Sequence, residues 1–535
     1  MKKLISINTI LFSFGVSIFL SIVFIDNETN SAMILGFVLT GFTGLLILIR
    51  NYIYMSSRFD FVSILAASTL MSVGIGTALT YLSFDSMDMW ISYVHGLGIS
   101  NNSVVVQSNL AVLFYSLCLF MIEVLLTKKS SEEYVVNQIE NKNIQLLKDV
   151  SESMRSSSIR SNILRFSFFV SNYQAYMLAS GQIGFLNKGW TTGFGSEQII
   201  DPKVQLLKAL VPFIIFVLGL FASNLRSLKK VNQFSYIFIG LVQFIWLVTI
   251  AGRSQFLFGL IIFIFGFRLS TLDRYKPEKN FQRADLYKTK KTPKKRFIIT
   301  IISVCLVVII GVQITSFSRY ISNLNTSFAS YSFLERIEYT AKEMSAYYLG
   351  GQSEFRAGEF EKKLNENLST RTFVLSGFAF MLDHLSSNQT KALLGQDMIS
   401  SFAKAIPGAL FPSKYLFLSQ ESLYSSVLNI PLNVIKDIAD SFFLSAYLDF
   451  SWAGFIIYPL VLSFMIKSTV SIALKFKSKV ISTLVVASLL SLCLSGGESA
   501  MTSFFVTLRD LIILSILIWS ISTIFPNRFK ESYGA

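Results

Sequence analysis

Long apolar stretches, separated by short polar connections, run through most of the chain. A helix that crosses a bilayer needs about 20 mostly apolar residues, and twelve windows meet or approach that length. The windows are 4–25, 32–49, 61–84, 105–126, 163–185, 204–224, 234–250, 254–269, 297–317, 442–466, 480–496 and 502–525. The pattern predicts an all-α polytopic membrane protein with about twelve transmembrane helices. The fifth window is the weakest, because Ser171, Asn172 and Gln174 interrupt its apolar run.

The distribution of Lys and Arg among the connections predicts how these helices are oriented. If the chain starts inside, the inner connections are rich in cations, and the segment 268–296 has eleven Lys or Arg against three Asp or Glu. The outer connections 26–31 and 84–104 contain neither Lys nor Arg. Because cytoplasmic loops collect Lys and Arg, both chain termini are predicted to be cytoplasmic.

The longest connection, residues 318–441, lies on the predicted outer side between the ninth and tenth helices. Apolar and aromatic residues recur throughout it, unlike in an unstructured linker. Its segments 373–385 and 393–410 are predicted as short helices that lie at the membrane interface or dip into it. The chain is thus predicted to have three parts. Residues 1–317 contain helices one to nine, with cytoplasmic loops at 127–160 and 268–296. Residues 318–441 form the large extracytoplasmic loop, and residues 442–535 contain helices ten to twelve and a short cytoplasmic tail.

Composition narrows the class of protein further. The 535 residues are 52% hydrophobic and 15% charged, whereas soluble proteins carry about 25% charged residues, so most of the surface is predicted to face lipid. The net charge of +15 is attributed to cytoplasmic loops facing anionic lipid headgroups, and no nucleic-acid partner is expected. The three cysteines lie in apolar runs and predict no disulfide. Nucleotide-binding and metal-ligand spacings do not occur, so neither a cofactor nor a metal is expected.

Three cations on the predicted outer side are candidates for binding phosphate. Arg253 lies at the junction of two short helices, Arg371 opens an apolar helix, and Lys414 ends a Phe-Pro-Ser-Lys turn. An arginine fork matches phosphate oxygens, and the free amides of a helix N-terminus beside Arg371 also favour anions. Each cation also has a structural interpretation: a snorkelling arginine, a surface arginine and a solvated turn lysine.

His384 and Asp440 are candidate general bases. A histidine titrates near neutrality and can accept a proton from a hydroxyl group, while Asp440 directly precedes the tenth apolar run. The alternatives are a structural histidine and an anion that stabilises the start of a helix. Asp449 falls within the tenth run and is expected to face protein and not lipid.

Three short stretches, in this order, resemble the O-antigen polymerase family, the Wzy-type oligosaccharide repeat-unit polymerases. The first is Ala-Gly-Arg at 251–253, between two apolar helices. The second is Leu-Gly-Gln-Asp at 394–397, followed by Ile-Pro at 406–407 and Phe-Pro-Ser-Lys at 411–414. The third is Ser-Ala-Tyr-Leu-Asp-Phe at 445–450, followed by Gly-Phe-Ile-Ile at 454–457. The resemblance covers residues 230–470 and the overall number of helices.

The resemblance implies a glycosyltransferase at the outer leaflet of the bacterial cytoplasmic membrane. Such an enzyme joins undecaprenyl-diphosphate-linked oligosaccharides into O-antigen, as in lipopolysaccharide, or into capsule or exopolysaccharide. Arg253 and Arg371 would hold the diphosphates, with a chain-length regulator and a flippase as candidate partners. The family has no invariant base that matches His384 or Asp440.

Three other functions remain as alternatives from the sequence. They are a lipid-linked oligosaccharide flippase or other transporter, a ligase that uses the same donor with another acceptor, and a non-catalytic membrane scaffold. Carriers built from two six-helix halves usually break their pattern after helix six. Here the large loop follows the ninth predicted helix, which counts against a carrier.

Overall fold

A computed structural model describes residues 6–23, 30–83, 102–132, 142–154, 156–180, 202–223, 225, 228–250, 253–272, 302–303, 305–315, 317, 331, 333–349, 375, 378–379, 381–383, 392–408, 410–417, 423, 425–427, 441–498 and 501–524. These residues form helices and turns and no strand. The helices are α1 (Ile7–Val23), α2 (Asn30–Ile53), α3 (Phe61–Ser83), α4 (Asn102–Glu132), α5 (Lys142–Ser153), α6 (Ser157–Ala179), α7 (Pro202–Ala222), α8 (Lys230–Ile250), α9 (Arg253–Leu272), α10 (Cys305–Thr315), α11 (Phe333–Leu349), α12 (Gln396–Ala405), α13 (Phe442–Phe450), α14 (Gly454–Lys475), α15 (Lys479–Ser495) and α16 (Met501–Ile524). Short 3-10 helices cover Pro412–Leu416, Ser451–Ala453 and Gly496–Glu498.

Seven segments of the described chain are helical, long and apolar enough to cross a membrane. They are Ile34–Ile53, Phe61–Ala78, Ser103–Ile122, Lys203–Ala222, Lys230–Val248, Phe442–Lys475 and Met501–Ser520. Four shorter apolar helices, Ile7–Val23, Gln255–Thr271, Cys305–Thr315 and Lys479–Ser495, overlap four other predicted windows. An α-helical polytopic membrane protein is thereby confirmed, while the count of twelve spans stays a prediction.

Helix α6 accounts for the weak fifth window, because two of its polar side chains face another helix. Ser171 and Gln174 are fully buried. Nε2 of Gln243 on α8 donates hydrogen bonds to Ser171 Oγ at 3.2 Å and to Gln174 Oε1 at 2.5 Å. A hydrogen bond between apolar helices offsets the cost of placing a polar group in lipid. The low hydropathy of this window therefore reflects contact between helices.

Packing divides the chain into two compact units. The first comprises Met1–Gln145, Asn365–Lys475 and Leu492–Ile516, and the second comprises Leu146–Leu364, Phe476–Ser491 and Leu517–Ala535. The predicted outer segment 318–441 contributes to both units, because the boundary falls between Leu364 and Asn365. The placement of this segment outside the cell stays a prediction.

The core of the first unit forms where α1, α2, α3 and α4 meet. Its fully buried members are Ile10, Phe14, Ile47, Ala67, Leu70, Leu113 and Phe120. Glycines bring α2 and α3 together, since a Cβ added to Gly74 would collide with the backbone of Phe37 and Gly41. Small residues at a crossing let two membrane helices touch along their backbones and increase their van der Waals contact.

In the second unit, glycines likewise allow close packing of two helices, α7 and α9. A Cβ added to Gly219 would collide with the carbonyl of Phe263, and one added to Gly266 would collide with the carbonyl of Phe216. The two helices therefore approach closely at a pair of glycines, one on each helix.

The tenth predicted window forms two helices in place of one. Helix α13 ends at Phe450, a 3-10 turn covers Ser451–Ala453, and α14 begins at Gly454. Ser451 has a φ of 52°, in the left-handed region. The turn brings α14 so close to α13 that a Cβ on Gly454 would collide with the carbonyl of Ala446. Because the residues on both sides of the break are apolar, hydropathy predicts one continuous run.

We expect Gly74→Ala to lower the melting temperature of the detergent-solubilised protein. The added methyl group must push α2 and α3 apart, and overpacking of this kind costs on the order of 1–3 kcal/mol. The matched control is Gly15→Ala on α1, where a Cβ would meet nothing within 4 Å and the higher helix propensity of Ala favours folding. Equal melting temperatures for the two variants would contradict the close α2–α3 contact.

Candidate functional site

The Leu-Gly-Gln-Asp stretch makes a tight entry into α12. Leu394 and Gly395 have φ values of 53° and 89°, and glycine suits the second position because it adopts the left-handed conformation without steric cost. The stretch is bonded to the end of α13: the amides of Leu393 and Leu394 donate to the carbonyls of Leu448 and Asp449, at 2.9 Å and 2.8 Å. The second and third stretches of the resemblance therefore lie against each other.

The side chain of Asp449 stabilises the start of α12. Its carboxylate accepts hydrogen bonds from the amide of Asp397 at 2.9 Å and from the amide of Met398 at 3.1 Å. The Tyr458 hydroxyl on α14 donates to the same carboxylate at 2.6 Å. Gly395 occupies the N-cap position of α12 and offers no side-chain hydrogen bond. The carboxylate of Asp449, on a neighbouring helix, thus accepts hydrogen bonds from amides that the N-cap residue leaves without a partner. Its negative charge also interacts favourably with the positive end of the helix dipole.

Asp397 is a second buried acidic residue in the first turn of α12. The pKa of its carboxyl group is raised to about 6, first by burial and then by the nearby charge of Asp449. Hydrogen bonds from Ser445 and Ser401 and the charge of Lys404 act in the opposite direction. The two carboxyl groups therefore lie in one polar cluster that the protein shields from solvent.

Cations gather at the other end of α12. The Lys414 ammonium donates to the carbonyls of Lys404 at 3.4 Å and Ile406 at 3.2 Å, and Arg509 Nη1 donates to the carbonyl of Ala405 at 3.0 Å. These carbonyls belong to the last turn of the helix, which leaves its final acceptors without partners inside the helix. We call Lys414 and Arg509 the cationic cluster.

The cationic cluster carries more positive than negative charge. Arg509 also forms an ion pair with Asp510 at 2.7 Å, in which the Arg side chain is 18% exposed. Lys414 is half-buried, so part of its side chain is not covered by protein. An ammonium has three donors, so the two carbonyls bonded to Lys414 leave it one more for an oxygen of a bound anion.

Of the residues that the sequence singled out, Lys414 and Asp449 belong to this site. The 3-10 helix Pro412–Leu416 holds Lys414 in the predicted turn, and Asp449 is fully buried in protein as expected. Arg253 is the first residue of α9, but its side chain lies outside the described residues, as do Arg371, His384 and Asp440. The roles assigned to these residues stay predictions.

Sequence reasoning missed Arg509, Lys404 and Tyr458. Arg509 had a usable signal, because a charged residue inside an apolar run is costly and therefore tends to have a partner and a function. Lys404 and Tyr458 gave no such signal, since their roles depend on which backbone ends and side chains the fold brings to them.

Comparison of the chain with protein-family models, with curated proteins and with solved structures finds no match. The functional assignment must therefore come from the sequence stretches and from the geometry of this site.

We expect Asp449→Asn to destabilise the protein more than Tyr458→Phe does. The asparagine weakens all three hydrogen bonds and removes the charge at the start of α12, at a cost on the order of 2 kcal/mol or more. The phenylalanine removes one hydrogen bond and keeps the ring in contact with Phe450, whose centroid is 6.3 Å away. Thermal unfolding of the two purified variants provides the comparison. A larger loss for Tyr458→Phe would show that the hydroxyl, and not the charge, dominates.

We expect Asp397 to make the protein less stable as the pH rises. Its folded pKa of about 6 exceeds 3.8, the ordinary pKa of an aspartate, so the folded state binds more protons between these values. The stability of the folded state therefore falls as the pH rises from about 4 to about 6, and above this range a penalty on the order of 3 kcal/mol remains. Asp397→Asn should accordingly gain most melting temperature over the wild type at pH 8, about half as much at pH 5 and little at about pH 3.5. Parallel pH profiles for the two proteins would rule out this contribution.

Proposed function

We propose that the chain is a membrane glycosyltransferase that polymerises undecaprenyl-diphosphate-linked oligosaccharide repeat units into a surface polysaccharide. The reaction takes place at the outer leaflet of a bacterial cytoplasmic membrane, and the product is an O-antigen, a capsule or an exopolysaccharide. The observation that carries the proposal is the meeting of two stretches of the resemblance at Asp449. At the opposite end of the same helix, α12, the chain gathers the cationic cluster around Lys414.

The proposed reaction is a substitution at the anomeric carbon of the growing chain. A hydroxyl group at the non-reducing end of the new repeat unit attacks that carbon, and a glycosidic C–O bond forms. The bond from the anomeric carbon to the diphosphate breaks, and undecaprenyl diphosphate leaves with the electron pair. His384 or Asp440 takes the proton of the attacking hydroxyl group. The donor brings its own leaving group, so no nucleotide is needed at this face.

The cations are assigned to the leaving diphosphate. Negative charge develops on it as the bond breaks, and fixed positive groups that meet developing charge usually provide the largest part of catalysis. Arg253, Arg371 and Lys414 are the proposed ligands, and Arg509 lies near Lys414 at the end of α12. Lys414 suits this role because its contacts with two carbonyls fix the ammonium before the substrate arrives.

Replacement of single cations should test the diphosphate assignment. We expect Lys414→Gln, Arg253→Ala and Arg371→Ala each to reduce long-chain polysaccharide by about 100-fold, the effect of removing one donor to a developing anion. Lys414→Arg keeps the charge and the donors and should retain most of the product. The control is Lys475→Ala, at an exposed lysine in the last turn of α14. The readout is the chain-length ladder on a gel at matched levels of protein in the membrane.

The same gels separate the proposed function from its rivals. A polymerase defect removes the ladder and leaves single repeat units on the cell surface, whereas a flippase defect removes both. A ligase defect leaves polymer on its lipid carrier without transfer to the final acceptor. Unchanged ladders in all three variants, with normal protein levels, would overturn the diphosphate assignment.

A further inference from the structure

The polarity of α12 is inverted relative to a helix on a water-soluble protein. Its buried face carries Asp397, Ser400 and Ser401, whose exposures are 6% or less. Its exposed positions are Gln396 at the start of the helix, followed by Ile399 at 58% and Phe402 at 53%. Leu394 before the helix and Leu410 after it are more exposed still, at 77% and 78%. An exposed face with apolar side chains and a buried face with polar ones are expected where the surrounding solvent is hydrocarbon.

Helix α12 contacts the first half of α16 through side chains at three places. Ser401 Oγ lies 3.0 Å from Thr502 Oγ1, the ring centroids of Phe402 and Phe505 are 5.3 Å apart, and the carbonyl of Ala405 accepts from Arg509. Later residues of α12 contact later residues of α16, so the contacts move along both helices in the same direction. Because α16 rises about 1.5 Å per residue, the contacts from Thr502 to Arg509 extend about 10 Å along a candidate membrane span. A helix lying flat on the membrane surface would cross α16 at one level.

The ends of α12 have the partners that a helix inside a bilayer requires. Lipid offers no hydrogen bonds to the free amides and carbonyls at helix ends, so the protein must supply them. At the start of α12, Asp449 from the candidate span Phe442–Lys475 accepts from two amides. At the end, Lys414 and Arg509 donate to three carbonyls, and Arg509 belongs to the span Met501–Ser520.

We propose that residues 393–417 form a re-entrant element, which enters the bilayer beside α16 and turns back without crossing it. The exposed face of Leu394, Ile399, Phe402 and Leu410 contacts the hydrocarbon chains of membrane lipids. The 3-10 helix Pro412–Leu416, through Lys414, fixes the turn that ends the element. Part of the segment between the ninth and tenth predicted helices is then embedded in the membrane. The proposal does not depend on the enzymatic activity.

Spin labels in proteoliposomes test the placement of this face. The three cysteines at 118, 305 and 493 are replaced by alanine, and a label is attached at Ile399→Cys or Phe402→Cys. Oxygen partitions into hydrocarbon, whereas a water-soluble nickel chelate stays outside it. Phe464→Cys, at a side chain 72% exposed on α14, is the hydrocarbon control, and Ser57→Cys, in the exposed turn after α2, is the water control. We expect the labels on α12 to match the Phe464 label, with high access to oxygen and low access to nickel.

Two results would overturn the proposal. Access of the nickel chelate at Ile399 and Phe402 equal to that at Ser57 would place the face in water. Low access to both reagents would mean that another protein surface covers the face. If the cysteine-free protein does not fold, a photoreactive diazirine amino acid at Phe402 in the unmodified background gives the same answer. Crosslinks to lipid support the proposal, and crosslinks to protein alone, or to nothing, reject it.

Discussion

A carboxylate cannot be buried among apolar helices without hydrogen-bond partners, because its desolvation would cost several kcal/mol. Asp449 meets this constraint with two amides and one hydroxyl group. All three partners lie on helices other than that of Asp449. The two amides belong to the first turn of α12, and Tyr458 lies on α14. The orientation of α12, the break after α13 and the position of the cationic cluster all depend on these three bonds.

The break between α13 and α14 follows from the same interaction. In a continuous helix, Asp449 and Tyr458 would be nine residues apart, or about 13.5 Å along the axis, too far for a hydrogen bond. The turn at Ser451–Ala453 folds the chain so that the tyrosine hydroxyl reaches the carboxylate at 2.6 Å. Gly454 allows the turn, because any larger residue would collide with the carbonyl of Ala446. The buried hydrogen bond between Tyr458 and Asp449 thus requires a break between α13 and α14 that hydropathy does not detect.

The sequence predicts those features of the structure that depend on neighbouring residues, and it does not predict contacts between distant parts of the chain. The apolar windows predict the helices well, since the length of a span is set by the thickness of the bilayer. The Pro in the Phe-Pro-Ser-Lys stretch likewise predicts the turn that holds Lys414. The partners of Lys414 and Arg509 could not be predicted, because they are carbonyls that become available only when α12 ends beside both residues. The hydrogen bonds between Gln243 on α8 and the polar residues of α6 also depend on which helices pack together. The sequence therefore shows them only as the weak hydropathy of the fifth window.

The two ends of α12 also connect the stability of this short helix with the proposed binding of a diphosphate. The helix dipole places partial negative charge at its last turn, where Lys414 and Arg509 bind the backbone, while the carboxylate of Asp449 stabilises its first turn. Cations held by backbone carbonyls lose little further freedom when an anion binds, so less of the binding energy is spent on ordering them. A diphosphate at this end would meet ammonium and guanidinium groups that are already in position. The opposite charge at the start of the helix would keep them there, because any shift of α12 along its axis breaks hydrogen bonds at both ends.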